Sequence, residues 1–134
     1  MSTPSQRNIS RPTKWVIGIL TALIMLAFVP SAILKLIHHP MAVEGFTSMG
    51  IPFGAIVPIG IAELLCLVVY LLPRTVVLGT FLLTGYLGGA TLANIIGGND
   101  FIHALVIGLF VWTAAWLRVP ELRDLLPIRK TQRA

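Results

Sequence analysis

Four long apolar runs, cut by short polar or turn-forming stretches, set the pattern of this chain: Trp15 to Ile37, Pro52 to Leu72, Thr75 to Ile96 and Phe101 to Leu117. Each approaches or exceeds the ~17–25 residues an α-helix needs to cross a hydrocarbon core of ~30 Å. The interruptions carry helix-boundary chemistry at Pro40, Gly50-Ile51-Pro52, Leu72-Pro73-Arg74 and Gly97-Gly98-Asn99-Asp100. The pattern predicts an all-α fold, a four-transmembrane-helix bundle. The links after the second and third spans are a few residues long, so those neighbours run antiparallel and adjacent.

Two short interfacial helices are expected beside the spans. Residues 40–49, with apolar Met41, Val43, Phe46 and Met49, follow the first span. Residues 120–126 follow the fourth, with Leu122, Leu125 and Leu126 set against Glu121, Arg123 and Asp124. Residues 1–14 read as a polar, basic cytosolic tail, 15–127 as the transmembrane domain and 128–134 as a basic C-terminal tail. Pro30 and Pro58 fall inside spans, where membranes tolerate them, and are expected to mark kinks. A cleaved signal peptide is the rival account of the first run, with Ser31-Ala32 as the cleavage site. It is disfavoured because the run is long for such a segment and Pro30 occupies a position that should be small.

Composition agrees with a membrane protein. The chain is 56% hydrophobic and 11% charged, against ~25% charged residues in soluble domains. Its net charge of +5 sits at the ends and in one turn and is not interleaved with aromatics, so anionic lipid is the expected partner and nucleic acid is not. With both termini cytoplasmic, nine of the ten Lys and Arg residues fall inside, Lys35 being the exception. Trp15, Trp112 and Trp116 fall at the same expected inner boundary. The lone Cys66 excludes an intrachain disulfide and a Cys-based zinc site, and reads as a small buried hydrophobe.

The candidate chemistry is concentrated in a few polar residues within apolar runs. Glu63 lies mid-span, where a carboxylate is costly and marks a functional site unless it is a protonated, hydrogen-bonded core acid. Tyr86 is expected at the same depth on the neighbouring helix, able to donate to Glu63; it reads as a packed aromatic first and a catalytic acid second. Tyr86, Ala90 and Asn94 share one helix face, which puts Asn94 ~12 Å further toward the outer surface. Lys35 and His103 are expected near the depth of Asn94, giving a polar column with Glu63 and Tyr86 at its floor. Lys35 reads first as snorkelling to outer headgroups and second as an ion pair with Glu63, which requires Pro30 to bend the first span inward. Asn94 reads first as an interhelical hydrogen-bonding residue. These five residues, Lys35, Glu63, Tyr86, Asn94 and His103, are the candidate ligand-binding set, with Glu63 and Tyr86 the best catalytic candidates. Gly85, Gly89 and Ala93, at steps of four, are the expected helix-packing stripe, with Thr80, Thr84 and Gly88 beside it. A glycine-rich phosphate loop is excluded, since no strand precedes these glycines and no lysine follows. No metal site is expected, because the adjacent His38 and His39 point apart and no third soft ligand is fixed by spacing.

In order along the chain, Pro30-Ser31-Ala32-Ile33-Leu34-Lys35, Val43-Glu44-Gly45-Phe46 through Gly50-Ile51-Pro52, Gly60-Ile61-Ala62-Glu63-Leu64, Leu71-Leu72-Pro73-Arg74-Thr75, Tyr86-Leu87-Gly88-Gly89-Ala90 and Trp116-Leu117-Arg118 through Leu125-Leu126-Pro127 resemble the DoxX-like family of small bacterial membrane proteins. The resemblance runs from about Phe28 to Pro127. It implies a four-helix protein of the bacterial inner membrane in which Lys35 and Glu63 belong to the family pattern. Many members look to have a histidine where this chain has Asn94, and Asn hydrogen-bonds but does not titrate. The family name implies a quinone or redox partner.

Three functions follow as expectations: a membrane-embedded site for a small amphipathic or quinone-like ligand, a non-enzymatic scaffold or assembly factor for another membrane protein or a second copy, and proton-coupled transport through Glu63. The third is disfavoured because four spans lack an inverted repeat. No covalently bound cofactor is expected, and whether the chain is an enzyme is left open.

Overall fold

The computed structural model describes residues 10–125. Helix α1 (Arg11–Leu36) begins four residues before the first apolar run. Pro12 stands in its first turn, where a missing N–H removes no intrahelical bond, and Ser10 Oγ meets Thr13 Oγ1 at 2.7 Å. Arg11, Pro12, Thr13 and Lys14, expected in the polar tail, therefore belong to the helix; residues 1–9 and 126–134, with the rest of both expected tails, lie outside the described residues. Next comes α2 (Pro40–Ser48), whose first turn is capped by His39 Nδ1 accepting from Met41 N. A single 3₁₀ turn (Phe53–Ala55) leads into α3 (Ile56–Leu71), followed by α4 (Val76–Ile96), α5 (Ile102–Arg118) and the four-residue α6 (Leu122–Leu125). No strand occurs among the described residues.

Helix α3 packs on α1 and α4, and α5 packs on α4 and α1, so the four long helices close into a ring. Between them lie Ile24, Phe28, Leu67, Tyr70, Leu83 and Val111. Their outward faces are apolar too: Trp15, Leu26, Leu65, Leu109 and Ile96 are all well exposed. Helices apolar on every side have no polar face to offer water, and the outer belt fits acyl chains. Helix α1, the stretch Phe53–Leu71 and α4 are each long and apolar enough to cross a membrane; α5 is apolar but shorter, at 17 residues.

Helices α3 and α4 meet closely at the end away from α2. A Cβ on Gly79 would overlap the backbone of Tyr70, so the absence of a side chain is what lets α3 and α4 approach there. Tyr70, 0% exposed, donates through its hydroxyl to Val111 O at 2.9 Å. Arg118 donates to Tyr70 O at 3.1 Å and Leu71 O at 3.2 Å, satisfying carbonyls that the end of α3 leaves unpaired. At the opposite end α2 lies across the ring, and Asn99 Nδ2 donates to Ser48 Oγ at 3.0 Å, tying it to the α4–α5 loop.

The stripe expected to pack helices does not do so within the chain. A Cβ at Gly85, Gly88 or Gly89 would meet nothing within 4 Å, and Ala93 is half-buried. Close approach is supplied by Gly60, against Lys35 and Ala32, and by Gly79. Pro30 lies on the exposed side of an unbroken α1, and Pro58 falls in the first turn of α3, where its missing N–H matters little. Trp112 donates to Thr84 Oγ1 at 2.8 Å, part-way along α4, so its indole serves an interhelical bond.

Candidate functional site

Beneath α2 the ring encloses a cavity of about 640 Å³, and Lys35, Glu63, Tyr86, Asn94 and His103 all line it. Five residues from four helices that the sequence proposed as one site thus face one space. Their arrangement differs from the expected column.

Lys35 does not snorkel outward. It is 7% exposed and its ammonium turns into the ring, 2.5 Å from Glu63 Oε2, 2.7 Å from Ser31 Oγ and 3.0 Å from Tyr86 Oη. An ammonium has three donors, and these partners use all three. The ion pair that sequence reasoning ranked second is therefore the one present. Glu63, 2% exposed, meets an uncompensated desolvation cost only if that lysine is removed. The Tyr86 oxygen accepts from Lys35, which leaves its hydrogen for the expected donation to Glu63 or for an occupant of the cavity. Phe28 packs against the Tyr86 ring, with centroids 6.1 Å apart.

Asn94 is 9% exposed and donates through Nδ2 to Ala90 O at 2.9 Å, within its own helix, and not across to another. Its amide oxygen takes no side-chain donor among the described residues. His103 stands at the rim with its side chain 58% exposed, Nδ1 3.8 Å from Asp100 Oδ2. The roof is apolar: Met41 and Phe46 of α2 and Met49 at its C-terminal cap line the cavity, with Lys35 Nζ 5.9 Å from the Phe46 ring centre. Val43, expected on the same apolar face, is half-buried and does not line the cavity. His38 stacks on Phe53 at 4.6 Å while His39 caps α2, so the two histidines are engaged separately. No group of three or more His, Cys, Asp or Glu placed to hold a metal occurs among the described residues.

A family model settles the affiliation: that of the DoxX-like family matches residues 19–117. The chain belongs to the DoxX-like family. With its apolar helices, this makes it a membrane protein. Searches among curated proteins and among solved structures each match nothing.

In this DoxX-like chain the polar cluster joins three helices around one ammonium. The pair commits Glu63 Oε2 to the ammonium, so Glu63 Oε1 and the Tyr86 hydroxyl hydrogen are the polar groups of the cluster with hydrogen-bonding capacity to spare. Sequence reasoning missed Ser31, Gly60 and Arg118. Ser31 stands four residues before Lys35, on the same helix face, and that spacing was the available signal.

Proposed function

We propose that this DoxX-like protein crosses the bacterial inner membrane four times, with both termini cytoplasmic, and holds a small amphipathic, quinone-like ligand beneath α2 as a redox-associated component of that membrane. The observation that carries the reading is the cavity itself. Its about 640 Å³ falls in the usual range for small-molecule sites, and its wall is mostly apolar, with a few polar groups at Ser31, Lys35, Glu63, Tyr86, Asn94 and His103. The topology is supported by charge: Arg11, Lys14, Arg118 and Arg123 gather at the end away from α2, with Arg74 in the turn between α3 and α4, while Lys35, the basic residue nearest the other end, is buried. At ~1.5 Å per residue, α5 covers most of a hydrocarbon core.

The chain contributes binding and proton exchange. The electrons of any quinone reaction are assigned to the ligand and a partner, since a chain with a single cysteine has no dithiol to carry an electron pair. Thermal unfolding in lipid nanodiscs with decylubiquinone tests the reading: saturable stabilisation of the native protein, weakened in Glu63→Gln, is expected. No stabilisation by any quinone would remove it.

A scaffold or assembly role is the second reading, favoured by the exposed strip of Gly85, Gly88 and Gly89 on α4, which suits close approach of another membrane helix. Crosslinking in native lipid that captures a stoichiometric partner or a second copy at this strip would favour it over the ligand site.

A further inference from the structure

We propose that the cavity opens sideways into the bilayer beside α4, through an edge floored by Gly85 and Gly89, and that its ligand is a single-tailed amphiphile whose chain leaves by that edge. The head would lie at Tyr86 and Asn94, so this rests on the ligand reading above and adds the shape of the molecule and its route.

Gly85 and Gly89 are at once exposed and part of the cavity wall, in the middle third of the 21-residue α4. A wall residue open to the outside at that depth marks an opening that faces acyl chains. The two helices that meet at Gly79 and Tyr70 are in close contact there, but a side chain at Gly85 or Gly89 would find only open space. Glycine weakens a helix interior, and neither residue recovers that loss by packing; what their missing side chains do is keep the edge low. On the α3 side the wall is the half-buried Ile59, which suits a hydrocarbon chain.

The other way in is covered. Exposed Met41 and His103 mark a mouth at the α2 end, but α2 covers it, with Phe46 over Lys35 and Ser48 held by Asn99. Inside, Asn94 is nine-tenths buried, its amide oxygen without a side-chain donor and its residue part of the cavity wall, and Glu63 commits only Oε2 to Lys35. Polar groups held in reserve above an apolar side exit fit a head that can both accept and donate hydrogen bonds, attached to one long chain. A quinone with an isoprenoid or alkyl tail and a free fatty acid share that chemistry.

Photolabelling in nanodiscs tests the route. A diazirine-bearing palmitic acid and decylubiquinone as competitor are applied to the native protein, Gly89→Phe, Gly85→Leu and, for bulk on a distant exposed face, Gly18→Leu, all at positions where a Cβ meets nothing. Labels on Ile59, Tyr86 or Ile107 are expected in the native protein and in Gly18→Leu, reduced at least tenfold in Gly89→Phe, with labelling of outward residues such as Leu65 unchanged. Cavity labelling that persists in both portal variants overturns the side route and leaves the ligand reading standing. Cavity labelling lost in the portal variants but never displaced by decylubiquinone upholds the route and removes the quinone. Binding of tail-less dimethoxy-methylbenzoquinone with no cavity label from the tailed probe upholds the ligand reading alone. No label and no quinone binding overturns both, and a change of oligomeric state in Gly89→Phe assigns the strip to protein contact and overturns the route.

Discussion

Lys35 of α1 stands level with Gly60 of α3, close enough that a Cβ on Gly60 would lie 3.0 Å from Lys35 Cβ, and Glu63 follows Gly60 by less than one turn. Helical side chains lean toward their own N-terminus. The two helices are antiparallel, so the lysine leans into the ring and the glutamate leans to meet it.

Removing one partner leaves the other buried without compensation. Glu63→Gln is expected to cost ~3–5 kcal/mol, and Lys35→Met combined with Glu63→Gln to cost less than Glu63→Gln alone. Unfolding in mixed micelles, run as a double-mutant cycle, measures the coupling; additive losses would mean the pair contributes nothing as a pair.

The glycines of α4 should separate sharply. Gly79→Ala must push its new Cβ into the Tyr70 backbone, an overpacking that costs ~1–3 kcal/mol. Gly85→Ala meets nothing and should gain up to ~1 kcal/mol from helix propensity. Thermal melts of the two variants should move in opposite directions.

Arg118 donates to two carbonyls at the end of α3 from a planar fork. Arg118→Lys keeps the charge but not the fork, and is expected to lose ~1.5–3 kcal/mol per bond given up. Faster amide exchange confined to the last turn of α3 is the signature to look for; unchanged exchange there would show the bonds to be idle.

Tyr86→Phe deletes one of the ammonium's three acceptors together with a hydroxyl that lines the cavity. Quinone affinity is expected to fall about tenfold, the equivalent of one hydrogen bond of ~1.4 kcal/mol. Isothermal titration in nanodiscs gives the ratio, and equal affinities would take Tyr86 out of the site.

The helices were legible because uninterrupted apolar runs and Pro- or Gly-rich breaks leave little choice of boundary. The end of α1 beyond Trp15 was less so, since Arg11 and Lys14 look like tail residues even when Pro12 starts a helix beneath them. The five polar residues that line the cavity stood out because each is expensive in an apolar setting. Their pairing was misjudged for Lys35, because depth counted along the helices ignores the lean and reach of the side chains. That Gly85 and Gly89 make no close contact within the chain was hidden for another reason: small residues at steps of four look the same whether they face a helix of their own chain or its outer surface. Isolated Gly60 and Gly79 form no pattern, so nothing in the sequence marked them as contacts.

The clasp of Arg118 on the end of α3 also bears on how the protein is made. The carbonyls of Tyr70 and Leu71 leave the ribosome well before the guanidinium that holds them, which belongs to the last residue of the last long helix. Synthesis must reach it before the half-built ring can be fastened, so premature termination ahead of that arginine yields an assembly with its latch missing.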